Sequence, residues 1–380
     1  MRNGAEEGVR NIHPTPKRMK SIRGINQRIL NCGRMSGMKN APLLLCILGL
    51  LVLWVTAPFA TSHRDDNRED LLAASQQTSA LAQQVLEATV HFVQVVKRGE
   101  GGEIERGSGS GFVVDSVKGW VMTNHHVVGE VGSVLRVQLR DGRIFDGTVV
   151  GSDARTDVGV VRIPEGVVRH QLAWGDSEAL KNGEWVMAVG NPLGLVGTSS
   201  LGIVSGLHRE LKMRPNFLSD FIQSDAFIDR GSSGGPLVDM AGRVVGINTA
   251  IEGSAWQGKG WAVPTHLARP VAEAIWETGE MERGWMGLIP EDMDSAYAAQ
   301  VGMKSAHGVR VKNAKDGSPS RKAGLQRGDV LLSMDGVPLF STGQLRARAG
   351  VLVPGKTVSF EIWRNGGTQV LRLQTVARPK

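Results

Sequence analysis

Cysteine is nearly absent from this 380-residue chain. Two occur, Cys32 and Cys46, and both lie before residue 61. Everything after that point has no disulfide available and must be held by its own core, which excludes a small stapled scaffold. An excess of charge is missing too, outside the first forty residues. Those residues carry nine Lys and Arg against Glu6 and Glu7, an excess that equals the net charge of the whole chain, +7. The remainder is neutral, so the basic balance describes a short tail and no nucleic-acid partner is expected.

Cofactor signals are equally scarce. GSGSG at Gly107–Gly111 leads into an apolar, strand-like run, where a phosphate site would need a helix N-terminus. GSAWQGKG at Gly253–Gly260 approaches a nucleotide loop, but Gly260 stands where the magnesium-binding hydroxyl belongs. His91, His170, His208, His266 and His307 show no ligand spacing. Neither a cofactor nor a metal is therefore expected. Trp120, Trp174 and Trp185 read as core or cleft packing.

Long hydrophobic runs are missing with one exception, APLLLCILGLLVLWVTAPFA from Ala41 to Ala60, which carries no charge. Twenty residues of helix span ~30 Å, the thickness of a bilayer's hydrocarbon core. Arg28, Arg34 and Lys39 precede it, so the positive-inside rule puts residues 1–40 in the cytoplasm as a basic tail. The run at 41–60 then reads as a single-pass anchor in the cytoplasmic membrane, with the rest on the extracytoplasmic, periplasmic side. A cleaved signal peptide is the competing reading; its basic region would be unusually long, and Pro58 is poorly placed for cleavage after Ala60.

Residues 61–84 are polar and read as a spacer. From there the texture becomes short β-branched runs broken by glycine: VHFVQVV, GSGFVVD, WVMTNHHVV, DVGVVRI, EWVMAVGN and GRVVGINTAI. RDG at Arg140–Gly142, between two alternating runs, marks a hairpin. Such strand spacing argues for a barrel or sandwich over 85–275, closed by the helical stretch HLARPVAEAIWETGEM. Residues 281–378 form a second, smaller domain, with one helix expected around Thr342–Arg348.

GSSGGP, within DAFIDRGSSGGPLVDM, sets two serines among glycines. A serine is a poor nucleophile unless a base takes its proton and a carboxylate orients that base. TNHHVV supplies His125 and His126, and DARTDVGVVRI supplies Asp153 and Asp157 ahead of a strand. The order His, Asp, Ser is that of chymotrypsin-type proteases.

These motifs, with GSGSGFVV, AVGNPLGL and GKGWAVP, resemble HtrA-type (Deg) serine proteases across most of residues 85–265. The resemblance implies a mainly β architecture: a chymotrypsin-like double β-barrel followed by a PDZ domain, here behind an N-terminal transmembrane helix as in the membrane-tethered Deg members. It selects His126 as base, Asp157 as orienting carboxylate and Ser233 as nucleophile, with the N–H groups of Gly231 and Ser233 as oxyanion hole. Asp229 and Ser232 stand where the family commonly has Asn. Phe227, Ile228, Thr249, Ala250 and Ile251 suggest an apolar pocket for aliphatic side chains, unless Asp229 turns inward and favours a basic one. GWMGL presents Trp285, Met286, Gly287 and Leu288 as the loop that receives a peptide's C-terminal carboxylate. SGLHRELKMRPNFLSDF matches the family's sensor loop, with Arg209 at its regulatory basic position. The implied activity is ATP-independent endopeptidase action on unfolded or mislocalised exported proteins, with C-terminal peptides as activating partners. A homotrimer with contacts near Phe92 is the expected assembly. The competing function is a catalytically silent PDZ scaffold.

Overall fold

The structure, a computed structural model, describes residues 62–97, 103–191, 197–211, 216–249 and 258–379. The chain falls into two units, residues 1–70 and 71–380. Of the first, only the start of helix α1 (Ser62–Glu87) is described. The apolar run at 41–60 lies outside the described residues. Among those described, no helix is long and apolar enough to cross a membrane.

Residues 61–84 were expected to be a spacer, yet nearly all of them are helical. Alanine, glutamine and serine in that run are compatible with helix, and Leu81, Ala82, Val85 and Leu86 fall on one face. All four are buried in a core cluster with Met187, Val189 and Val244, so the last turns of α1 are part of the core.

Strands β1 (Thr89–Lys97), β2 (Glu103–Asp115), β3 (Trp120–Thr123), β4 (Val134–Gln138), β5 (Ile144–Asp153) and β6 (Val158–Arg162) close into a barrel in the order β1-β2-β3-β6-β5-β4. A second barrel repeats that winding with β7 (Trp185–Gly190), β8 (Thr198–Arg209), β9 (Phe221–Ser224), β10 (Pro236–Asp239), β11 (Val244–Thr249) and β12 (Gly260–Pro264). Each sheet closes on itself, β1 pairing with β4 and β7 with β10. Phe92, Val113, Val121, Val137 and Val161 fill the first barrel. Phe92 is wholly buried there. Trp120 and Trp174 pack as expected, against Trp276 and Phe112. Trp185 does not: it is about half exposed, at 52%.

A short turn, α2 (His125–Val128), follows β3, and helix α3 (Thr265–Thr278) follows β12. On α3, Leu267, Ala268, Val271, Ala272 and Ile275 form one buried stripe. Gly279 ends this helix in the left-handed region, its N–H donating to Ile275 O at 2.7 Å.

The C-terminal region is built on a sheet of β14 (Leu288–Asp292), β15 (Val309–Ala314), β16 (Val330–Met334), β18 (Thr357–Arg364) and β19 (Gly367–Gln374). A short strand, β17 (Val337–Pro338), pairs with β16, and β13 (Gly284–Trp285) pairs with β20 (Val376–Ala377). Helices α4 (Ser295–Gln300), α5 (Pro319–Lys322) and α6 (Thr342–Ala349) complete it, each with a side-chain oxygen accepting a backbone N–H at its first turn. Val309, Leu325, Leu331, Phe360 and Ile362 are its core.

Candidate active site

His126 sits on α2, whose Val127 and Val128 are buried in the first barrel. Burying those two valines leaves the His126 ring at the surface, with its side chain 34% exposed. Its Nδ1 lies 2.9 and 3.0 Å from the two carboxylate oxygens of Asp157, and its backbone N–H donates to Asp157 Oδ1 at 3.1 Å. A carboxylate only accepts, so Nδ1 carries the proton and Nε2 is left as the basic nitrogen. His125 goes elsewhere, its Nδ1 2.8 Å from Ser152 Oγ.

Asp157 is buried and holds φ +59, a conformation that disfavours a non-glycine residue. Asn124 stabilises it by donating from Nδ2 to Asp157 O at 2.9 Å. The same amide reaches Thr249 Oγ1 on the second barrel at 3.0 Å. One buried asparagine thus joins the turn carrying Asp157 to the other barrel.

Ser233 belongs to that second barrel, in the turn between β9 and β10. Its residue is 4% exposed, and its carbonyl accepts from Ser110 N–H of β2 at 2.8 Å. A Cβ built on Gly109 would lie 2.5 Å from Val127 Cγ1 and 3.3 Å from Ser233 O. The backbone of Ser233 and the helical turn bearing His126 therefore meet over one glycine of the first barrel.

The neighbouring glycines have steric causes. Gly231 and Gly234 hold φ of +92 and +87, where glycine alone is unstrained. A Cβ on Gly234 would collide with Ser110 O and Thr123 Oγ1, and one on Gly235 with Val189 O. Ser110 Oγ, wholly buried, donates to Gly231 O at 2.6 Å and accepts from Asn191 N–H at 2.9 Å. That hydroxyl fixes the peptide after Gly231. The carboxylate of Asp229 accepts from Arg230 N–H, and its carbonyl accepts from Ser232 N–H, so Asp229 caps its own turn.

The apolar residues expected to form one pocket have three different surroundings. Phe227 is 38% exposed, with its N–H donating to Ser200 Oγ. Ile228 is buried in the second barrel's core. Thr249 is buried, with its hydroxyl on Asn124. Ala250 and Ile251 lie outside the described residues.

Trp285, Met286, Gly287 and Leu288 line a cleft of about 960 Å³ between the C-terminal sheet and residues 210–211 and 216–219. The carbonyls of Met286 and Gly287 accept from Ser320 and Lys315 N–H, at 3.0 and 2.9 Å. Gly287 holds φ +73, and a Cβ there would strike Ser318. Arg209 pairs with Phe221 in the sheet and lies over Gly206; it is Glu210, one residue on, that lines the cleft.

Pattern reading missed a buried group outside the His126 site. Asp220 lies between His208 Nδ1, at 3.0 Å, and His266 Nε2, at 2.9 Å, and His266 Nδ1 is 3.0 Å from Ser177 Oγ. Burial pushes the Asp220 carboxyl up, but hydrogen bonds with His208 and then His266 outweigh it and hold the group below its ordinary value. The hydrogen bond with Asp220 raises His208 in turn. Nothing local announces this cluster, because its members stand 12 and 46 positions apart. Among the described residues no group of three ligands is placed to hold a metal.

A buried carboxylate orienting a surface imidazole, beside a glycine-framed serine at the meeting of two barrels, defines the class of trypsin-like peptidases. Comparison agrees: residues 109–247 match the trypsin-like peptidase domain, and 284–375 match the PDZ domain. Beyond the class, the chain belongs to the HtrA-type serine protease family. It is 32% identical to the HtrA-type protease AlgW solved with a tripeptide, covering 79% of this chain and 97% of that one at a TM-score of 0.61. It is 39% identical over 262 residues to the periplasmic pH-dependent serine endoprotease DegQ of Escherichia coli strain K12, covering 68% of this chain and 57% of that protein. It is 38% identical over 282 residues to the periplasmic serine endoprotease DegP of Salmonella typhimurium strain LT2, covering 73% of this chain and 58% of that protein. The chain thus spans somewhat more than half the length of these curated relatives.

Proposed function

We propose that this protein is a serine endopeptidase of the extracytoplasmic space that cleaves unfolded or mislocalised proteins under the control of C-terminal peptides. The observation that carries the proposal is the His126–Asp157 pair, bonded through Nδ1. With that nitrogen protonated, Nε2 takes the proton of Ser233 as its Oγ attacks the scissile carbonyl. Negative charge collects on the carbonyl oxygen, where the N–H groups of Gly231 and Ser233 receive it. His126 then protonates the leaving amine, and water hydrolyses the acyl-enzyme by the same route. Asp157 stays ionised throughout and stabilises the imidazolium.

In this reading residues 85–275 are the protease domain and 281–378 a PDZ domain. Residues 285–288 receive a peptide C-terminus, supported by their place along the cleft and by the peptides in the AlgW structures. The periplasmic relatives support an extracytoplasmic location. The run at 41–60 would tether the protein to the cytoplasmic membrane, and the functional assembly would be a trimer.

The test is cleavage of an unfolded protein such as reduced casein by the purified chain, with and without a peptide ending in a free apolar C-terminus. Cleavage that the peptide accelerates, that its C-terminal amide does not accelerate, and that Ser233→Ala abolishes is expected. Cleavage that survives Ser233→Ala would overturn the assignment.

A further inference from the structure

The cleft beside residues 285–288 is cationic. Arg155, Arg283, Arg346 and Arg378 line it, against a single lining carboxylate, Glu210. Arg283 is paired with Asp153 at 2.5 Å, and Glu210 is bound by Ser341. Arg155, Arg346 and Arg378 take part in no ion pair among the described residues. Arg155 is half-buried and Arg346 and Arg378 are exposed, so the cleft carries a local excess of positive charge that attracts an anion. Burial, followed by the charge of Arg283, lowers the Arg155 pKa below its ordinary value.

Arg155 also has a backbone connection. Its Nε donates to Asn216 O at 3.1 Å, and its carbonyl accepts from Leu218 N–H at 2.7 Å, both on the segment that lines the cleft. Two residues further on stands Asp157, the carboxylate that orients His126. The turn holding it is fixed again at Asp153, which accepts from Thr156 N–H and Oγ1 and from Arg283.

We propose that this cleft is a subsite for an acidic side chain of the C-terminal peptide, and that Arg155 carries its occupancy to the turn bearing Asp157. The proposal rests on residues 285–288 receiving the peptide's carboxylate. In an extended peptide, alternate side chains face opposite sides, so one of the few residues before the last faces Arg155, Arg346 and Arg378. The chemical class is then defined: a peptide with an apolar free C-terminus and Asp or Glu shortly before it.

The experiment uses the full chain and fluorescein-labelled hexapeptides ending in valine. Asp or Asn is placed in turn at each of the three positions before the last, with C-terminal acid and amide forms. At low ionic strength, at one of these positions, Asp is expected to bind about tenfold tighter than Asn, the scale of one charge-assisted hydrogen bond. Arg346→Gln, at an exposed position, should remove that preference. At saturating peptide, Asp should accelerate hydrolysis more than Asn, and Arg155→Gln should abolish the difference. Equal affinities for Asp and Asn at all three positions, with the amide still failing to bind, would overturn the subsite and leave the carboxylate site standing. Binding of no peptide, or equal binding of acid and amide, would overturn both. A preference that survives Arg346→Gln would place the anion elsewhere, and a rate difference that survives Arg155→Gln would remove the link to Asp157.

Discussion

Ser110→Ala removes one hydroxyl from a wholly buried position and leaves two groups without partners. Its oxygen donates to Gly231 O at 2.6 Å and accepts from Asn191 N–H at 2.9 Å. Both partners are buried, so water cannot readily replace the lost oxygen. A buried group left unsatisfied costs about 1–3 kcal/mol. Two such groups, offset in part by the more apolar methyl, give a net loss of about 2–4 kcal/mol. The catalytic effect is separate. Deleting an oxyanion donor outright costs about 10²–10³ in kcat, and here the donors remain while the peptide after Gly231 loses its anchor. A fall in kcat of about tenfold to a hundredfold with little change in KM is therefore expected. Urea unfolding followed by circular dichroism reads the first quantity, and steady-state cleavage of a fluorogenic peptide reads the second. Ser110→Cys, whose thiol is a weak donor, should recover part of kcat. A stability loss under about 0.5 kcal/mol, a change typical of ordinary surface substitutions, would refute the reasoning about Ser110.

Asp157→Asn keeps the shape but reverses the tautomer of His126, and kcat should fall about 10⁴-fold with the fold intact by circular dichroism. Gly234→Ala forces a Cβ against Ser110 O and Thr123 Oγ1 at φ +87 and should abolish activity, with thermal unfolding well below the wild type. His208 has a folded pKa raised above 6.5, so its contribution to stability is complete below that pH and is lost as pH rises through the raised value. Asp220, held low, contributes above its ordinary value of 3.8 and loses that contribution only as pH falls through its depressed folded pKa. Urea midpoints at pH 6, 7 and 8 should therefore decline more steeply for the wild type than for His208→Gln; parallel curves would refute the assignment.

What the sequence made legible was local. TNHHVV, DARTDVGVVRI and GSSGGP each hold their chemistry within a few residues, and strand alternation with Gly-rich turns points to closed β-sheets. The rest depended on contacts between distant positions. Ser110 meets Gly231 across 121 positions, and Asn124 meets Thr249 across 125. No periodicity or spacing encodes such a hydrogen bond. The polar run at 61–84 misled for a different reason: its composition is that of a linker, while the apolar face of α1 occupies only the last turns, at Leu81, Ala82, Val85 and Leu86. Of the residues expected in an apolar pocket, Ile228 faces the core of its barrel and Thr249 faces Asn124, because residue type alone does not reveal direction.

Catalysis by this site requires Ser233 to be the group that attacks. Treating the intact protein with a fluorophosphonate, with activating peptide present, and locating the adduct by mass spectrometry tests this directly. A single phosphonylated position at Ser233, lost on His126→Ala, is the predicted result. An adduct on Ser232, or none under conditions where the protein cleaves its substrate, would contradict it.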